Sequence, residues 1–163
     1  MLVPWLMFIH VLSAITFFLA HGASAAMVFK LRSETDLARI RPLLDLSGAY
    51  VNVLIVSFLG MGITGLIMPF LIHIWNRGWI WLSIVLILFV FRYMFWFDEH
   101  SYKPLRKLVG LPYPSHGKWY PAETPASPEE VAAYIQNINI MPLVIVGYGI
   151  PAFVLWLMVF KPF

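Results

Sequence analysis

Two histidines, His10 and His21, stand inside an apolar stretch, Val3 to Phe29, that is long enough to cross a bilayer. An imidazole can ligate a metal through one ring nitrogen, carry a proton near neutral pH, or donate a hydrogen bond to a backbone carbonyl. Placing such a group in hydrocarbon is costly, so its presence there points to a ligand or partner within the protein. The two lie 11 positions apart. At 100° per residue they fall within about 20° of each other on one helical stripe, roughly 16 Å apart along the axis. Ser13, Ala14, Phe17 and Ser24 share that stripe. Each histidine has two readings: a cofactor ligand, or a packing residue bonded to a neighbouring helix. Gly22 and the small residues after it suit a tightly packed helix end around His21 as well as they suit a site.

The second apolar stretch holds a third histidine, His73, and the run Gly60-Met61-Gly62-Ile63-Thr64-Gly65. Its letters match the G-x-G-x-x-G dinucleotide fingerprint. No strand precedes it and no acidic residue follows about 20 positions on, so that reading fails. In lipid, such glycines let another backbone or a flat ligand approach closely. Gly62, Leu66, Pro69 and His73 share a stripe, and Pro69 is expected to kink the helix by freeing a carbonyl one turn earlier. His73, about one turn from the outer end, reads either as an interfacial histidine or as a ligand. Arg92, a turn inside the inner boundary of the third stretch, either snorkels to headgroups or pairs with a carboxylate or a ligand propionate.

The elements that must position these residues follow from composition. The 163-residue chain has a mean hydropathy of +0.80 and only 19 ordinary charges, which places it in a bilayer. Seven tryptophans cluster near the ends of apolar runs, as an interfacial belt requires. With no cysteine, disulfides, thiolate metal sites, iron–sulfur clusters and covalently attached haem are excluded. The net charge of +3 comes from loops and bears on membrane orientation, not on nucleic acid. The expected fold is all-α, a single membrane domain over residues 1–163. It is an integral membrane four-helix bundle with spans at about 3–29, 47–75, 79–97 and 140–160. Ala23-Ser24-Ala25 has the small-residue pattern of a signal-peptide cleavage site. No basic segment precedes it and the apolar run is too long, so the first span is expected to be retained.

Lys30, Arg32, Arg39 and Arg41 follow the first span, and Lys103, Arg106, Lys107 and Lys118 follow the third, against Arg77 alone after the second. Both termini are therefore expected on the non-cytoplasmic side, in the plasma membrane of a prokaryote. A short surface helix is expected from Ser33 and Asp36 to about Pro42, followed by a second-span cap at Ser47. Asn76-Arg77-Gly78 is short enough to make the second and third spans antiparallel neighbours. The long stretch from Asp98 to Asn139 reads as an ordered flap on the membrane surface, then an interfacial helix opened by Ser127-Pro128-Glu129-Glu130. Asp98, Glu99, His100 and His116 have no recognised metal-ligand spacing and read as a solvated loop. Gly147, Gly149 and Pro151 predict a kinked, closely approached last span.

With the termini outside, His10 and His73 fall at one depth in the outer half, and His21 lies inward near Arg92 as a possible second polar site. Two imidazoles, the Gly62 face for a ring and aromatic walls suit a b-type haem with His10 and His73 as axial ligands. Phe8-Ile9-His10-Val11-Leu12-Ser13-Ala14 resembles the opening of small four-helix membrane proteins around the copper-resistance D domain and the oxygen-independent membrane protoporphyrinogen oxidase. That resemblance implies a haem ligand at His10. The Trp and Gly that usually follow in that group are replaced by Thr16-Phe17-Phe18, with His21-Gly22 later. The leading expectation is a b-type haem protein with an electron-transfer role, held in the lipid bilayer and partnered by other membrane subunits or a second copy. Two others stand beside it: a cofactor-free accessory subunit packing through Gly60, Gly62, Gly65 and its aromatic faces onto a larger respiratory or photosynthetic membrane complex, and a small transporter or metal-handling protein using His10, His21 and His73.

Overall fold

Four helices are long and apolar enough to cross a membrane in the computed structural model, which describes residues 2–115 and 117–163. Helix α1 runs Leu2–Arg32 and α2 runs Leu37–Leu71. Helix α3, Gly78–Phe97, passes through a π-helical turn at Asp98–Tyr102 into α4, Lys103–Leu108. Strands β1, Tyr113–Ser115, and β2, Lys118–Tyr120, form an antiparallel hairpin that pairs Tyr113 with Tyr120. Helix α5, Pro128–Asn137, precedes the last span. That span is α6, Met141–Val144, a π-helical turn at Ile145–Gly149, and α7, Ile150–Phe160. The hairpin is an addition to the all-helical expectation, and the flap's first residues are a continuation of the third span.

Helix α1 tolerates Pro4 because the first turn needs no N–H from that position. The surface helix expected to stop at Pro42 does not exist as a separate element. Asp36 caps α2 by accepting from the Ala38 N–H at 2.9 Å, and Pro42 lies inside that helix. Proline there removes one backbone bond, at a cost of about 3 kcal/mol. Ile40 and Leu44, on either side of it, are almost wholly buried. Burying two such side chains returns roughly 1.5 to 3 kcal/mol each, enough to offset the lost bond.

At its other end α2 stops four residues earlier than the expected span. His73 takes a left-handed conformation (φ 55°), and the Ile74 N–H reaches back to the Pro69 carbonyl at 3.1 Å. This is the six-to-one bond of a Schellman cap, with histidine in the position glycine usually fills. Ser127 closes a capping box with Glu130 at the start of α5, as its sequence predicts.

Helix α1 lies along α2, and α3 along α7. Between the pairs, Phe58 of α2 stacks on Phe91 of α3 with centroids 3.9 Å apart. At the basic end, Leu31, Ile40, Leu44, Leu105, Val109, Val131 and Ile135 form a compact cap from α1, α2, α4 and α5. Arg32 and Gln136 tie it by reciprocal bonds, each donating to the other's backbone carbonyl. At the opposite end Trp79, Ile80 and Leu157 join α3 to α7, and Phe163 packs where Gly78 has no side chain.

Candidate functional site

His10 is half-buried in the seam between α1 and α2. Its Nδ1 lies 2.9 Å from the Met61 carbonyl oxygen and 3.1 Å from Thr64 Oγ1. The carbonyl can only accept, so Nδ1 carries the proton. Thr64 in turn donates to the Gly60 carbonyl at 2.6 Å. The helices meet closely because glycine stands opposite each polar side chain of α1. A Cβ on Gly65 would come 2.9 Å from His10 Cε1, and one on Gly60 would come 2.7 Å from Ser13 Oγ. Gly62 faces elsewhere, with nothing within 4 Å of where its Cβ would sit.

The expected meeting of His10 and His73 does not occur. His10 touches α2 at Met61, Thr64 and Gly65, whereas His73 lies nine residues beyond Thr64, about 13 Å along the chain axis. There it is exposed in the turn that ends α2. Arg92 is exposed on α3, with no ion pair or hydrogen bond among the described residues, and does not meet His21.

His21 is 3% exposed. Phe17 stacks parallel to its ring at 6.0 Å, and Tyr148 lies 5.4 Å away on the other helix pair. Its Nε2 is 2.5 Å from the point a Gly147 Cβ would occupy, so only glycine admits the ring. Pro151 has no N–H to give the Gly147 carbonyl one turn earlier, and the chain widens into its π-helical turn at this place. Nε2 nevertheless forms no hydrogen bond of normal geometry and is a buried nitrogen without a partner.

Beside His21 is a cavity of about 120 Å³ between the two helix pairs. Phe17, Leu54, Phe91 and Phe95 are among its apolar walls. Its polar end, under the cap, has Ser24, Ser47, Asp98, Tyr102 and Arg106. Ser24 Oγ and Ser47 Oγ are 3.2 Å apart, and the Tyr102 hydroxyl donates to the Ser24 carbonyl at 3.2 Å. Arg106 gives three of its five N–H groups to Asp45 (2.8 Å) and to the Leu44 and Pro112 carbonyls.

Sequence reasoning read Ser47 only as a helix cap and gave Tyr102 no role beyond the flap. The four-residue step from Gly147 to Pro151 was a signal for a freed carbonyl facing His21. Asp98 and Glu99 pair with Lys103, and His100 stacks on Trp96. Among the described residues no three metal-ligating side chains gather, and His116 lies outside them. No protein-family model, curated protein or solved structure matches this chain.

Proposed function

We propose that the four spans form a membrane bundle that holds one lipid-soluble small molecule in the cavity between the α1–α2 and α3–α7 pairs. The cavity itself carries this reading. It joins aromatic and aliphatic walls to a cluster of hydroxyls, an arrangement that fits an apolar body with a polar head. By the lysine and arginine bias the capped end faces the cytoplasm, with both termini across the membrane. Reporter fusions at Arg39 and Lys107 should then behave as cytoplasmic, and the reverse pattern would invert the assignment.

The test of the binding reading is native mass spectrometry of the protein taken from membranes. One small lipophile should stay bound per chain after detergent washing. Gly48→Trp should lose it, because Gly48 lines the cavity and a Cβ there meets only the Arg106 guanidinium at 3.8 Å. A wild-type chain retaining nothing, or equal retention in Gly48→Trp, would remove the proposal.

A second reading rests on His10. Its Nδ1–H is directed to the Met61 carbonyl, the arrangement that orients a ligating imidazole and leaves Nε2 for a metal. Among the described residues Nε2 makes no hydrogen bond. The resemblance of Phe8 to Ala14 to haem-binding membrane proteins points the same way. A b-type haem held there would carry single electrons, with His10 and not His73 supplying the axial nitrogen. A reduced-minus-oxidised absorption spectrum should then show a haem band that His10→Ala abolishes and His73→Ala keeps. Absence of haem from the wild-type membrane protein would end this reading.

A further inference from the structure

Building on the cavity reading, we infer that the bound molecule is an amphiphile without an anionic head, carrying a hydroxyl or carbonyl on an apolar body. The geometry points to its entry sideways from the lipid, through a gap between α2 and α3 near the capped end. The charge balance at the polar end is the first observation. Arg106 pairs with Asp45 at 2.8 Å and gives two further N–H groups to the Leu44 and Pro112 carbonyls, while Lys103 pairs with Asp98 and Glu99. Each cation near the polar end is thus engaged by carboxylates of this chain. Asp98 and Glu99 share the one Lys103, so the balance here is already on the negative side. An anionic head would have to leave water without a counter-ion of its own, which is expensive in a low-dielectric site.

Hydroxyl groups, by contrast, have capacity left. In the contact between Ser24 Oγ and Ser47 Oγ only one of the two protons lies between the oxygens, so the other is left to turn either to the Tyr102 oxygen beside both serines or to a guest. The Tyr102 oxygen keeps lone pairs after donating to the Ser24 carbonyl. A single oxygen head can use these groups without breaking the bonds already present.

The second observation concerns the walls. Val51 of α2 and Phe95 of α3 both line the cavity, yet they are 39% and 48% exposed. A residue that faces a cavity and the outside together marks its rim. The Phe58–Phe91 stack closes the α2–α3 gap on one side, and the cap closes the other. Val51 is four residues past Ser47, about 6 Å deeper along the helix, so the opening lies on the apolar side of the cap.

The experiment uses the full chain in lipid nanodiscs with two photoreactive probes of equal chain length, a diazirine-bearing fatty alcohol and the matching fatty acid. Labelling is mapped by peptide mass spectrometry at a pH where the acid is ionised. The alcohol should label residues 47–55 and 91–98 at least about tenfold more than the acid does, in keeping with the cost of burying an unpaired carboxylate. Val51→Trp, an exposed rim position, should lower that labelling several-fold while leaving labelling at lipid-facing Leu59 and the melting temperature unchanged. Phe95→Trp provides a second, independent obstruction of the same rim. Acid labelling equal to the alcohol's would overturn the exclusion of an anionic head and leave the cavity reading standing. Cavity labelling unchanged in both rim variants would overturn lateral entry. If neither probe labelled the cavity above the level at Leu59, the cavity reading would fall with this one.

Discussion

His10 and His21 occupy one stripe of one helix, yet their surroundings are opposite. His10 is held in a close helix seam, bonded to Met61 and Thr64 and pressed against Gly65. His21 is more deeply buried, its Nε2 has no bond, and a cavity opens at its side. Position on a helix sets the direction in which a side chain leaves. The neighbour it meets there, a carbonyl and a hydroxyl in one case and a widened turn in the other, sets what it can do.

The sharpest test of that difference compares two glycines three residues apart. Gly65→Leu should destabilise the protein in detergent by about 1 to 3 kcal/mol or more, because even its Cβ collides with the His10 ring. Gly62→Leu should stay within about 0.5 kcal/mol of wild type. Equal melting shifts would mean that the seam is not where the contacts place it.

The histidines themselves give the next contrast. His10→Leu forfeits an interhelical hydrogen bond and should cost about 0.6 to 2 kcal/mol. His21→Leu removes a buried nitrogen that has no partner, and should be neutral or stabilising by up to about 1 kcal/mol. A loss at His21 as large as that at His10 would show that Nε2 is bonded after all, through the Gly147 carbonyl or a water.

A smaller gain is expected at the end of α2. His73→Gly should raise stability by about 1 kcal/mol, since glycine takes the left-handed conformation without the Cβ conflict. A fall in melting temperature would instead assign the imbidazole side chain of His73 a partner of its own.

The smallest effect lies in the strap over the cap. The Tyr113 hydroxyl, bonded to Glu123 at 2.5 Å, holds that carboxyl below its usual range, with Lys107 adding to the effect. A lowered folded-state value means that the contribution is present above the ordinary carboxylate range and is lost as pH falls through the folded value. Glu123→Gln should flatten that slight acid dependence of melting. No change in slope would mean that the contact is idle in solution.

Much of the architecture was legible because bilayer thickness imposes its own ruler. Four apolar stretches of adequate length predicted four long helices, and Ser127 to Glu130 announced the start of α5. Pro42 misled because helix-breaking by proline is a local rule, while Ile40 and Leu44 are held by Leu105, Val131 and Ile135, far away in the chain. Gly62 misled for a related reason. Stripe arithmetic ties it to His73, but the helix-to-helix register selects Gly60 and Gly65, and register depends on a partner's surface. His10 and His21 were recognisable as residues needing partners; the cavity was not, because its polar end is assembled from Ser24, Ser47 and Tyr102 on three separate segments.

The reciprocal bonds between Arg32 and Gln136 join positions 104 residues apart. At roughly 5 to 20 residues per second, the second partner leaves the ribosome about 5 to 20 s after the first. Until α4 and then α5 emerge, the ends of α1 and α2 have Leu31, Ile40 and Leu44 without their later partners. The newborn chain thus has a window in which its basic end is open to chaperones, proteases or another nascent copy, and the arrival of α5 closes it.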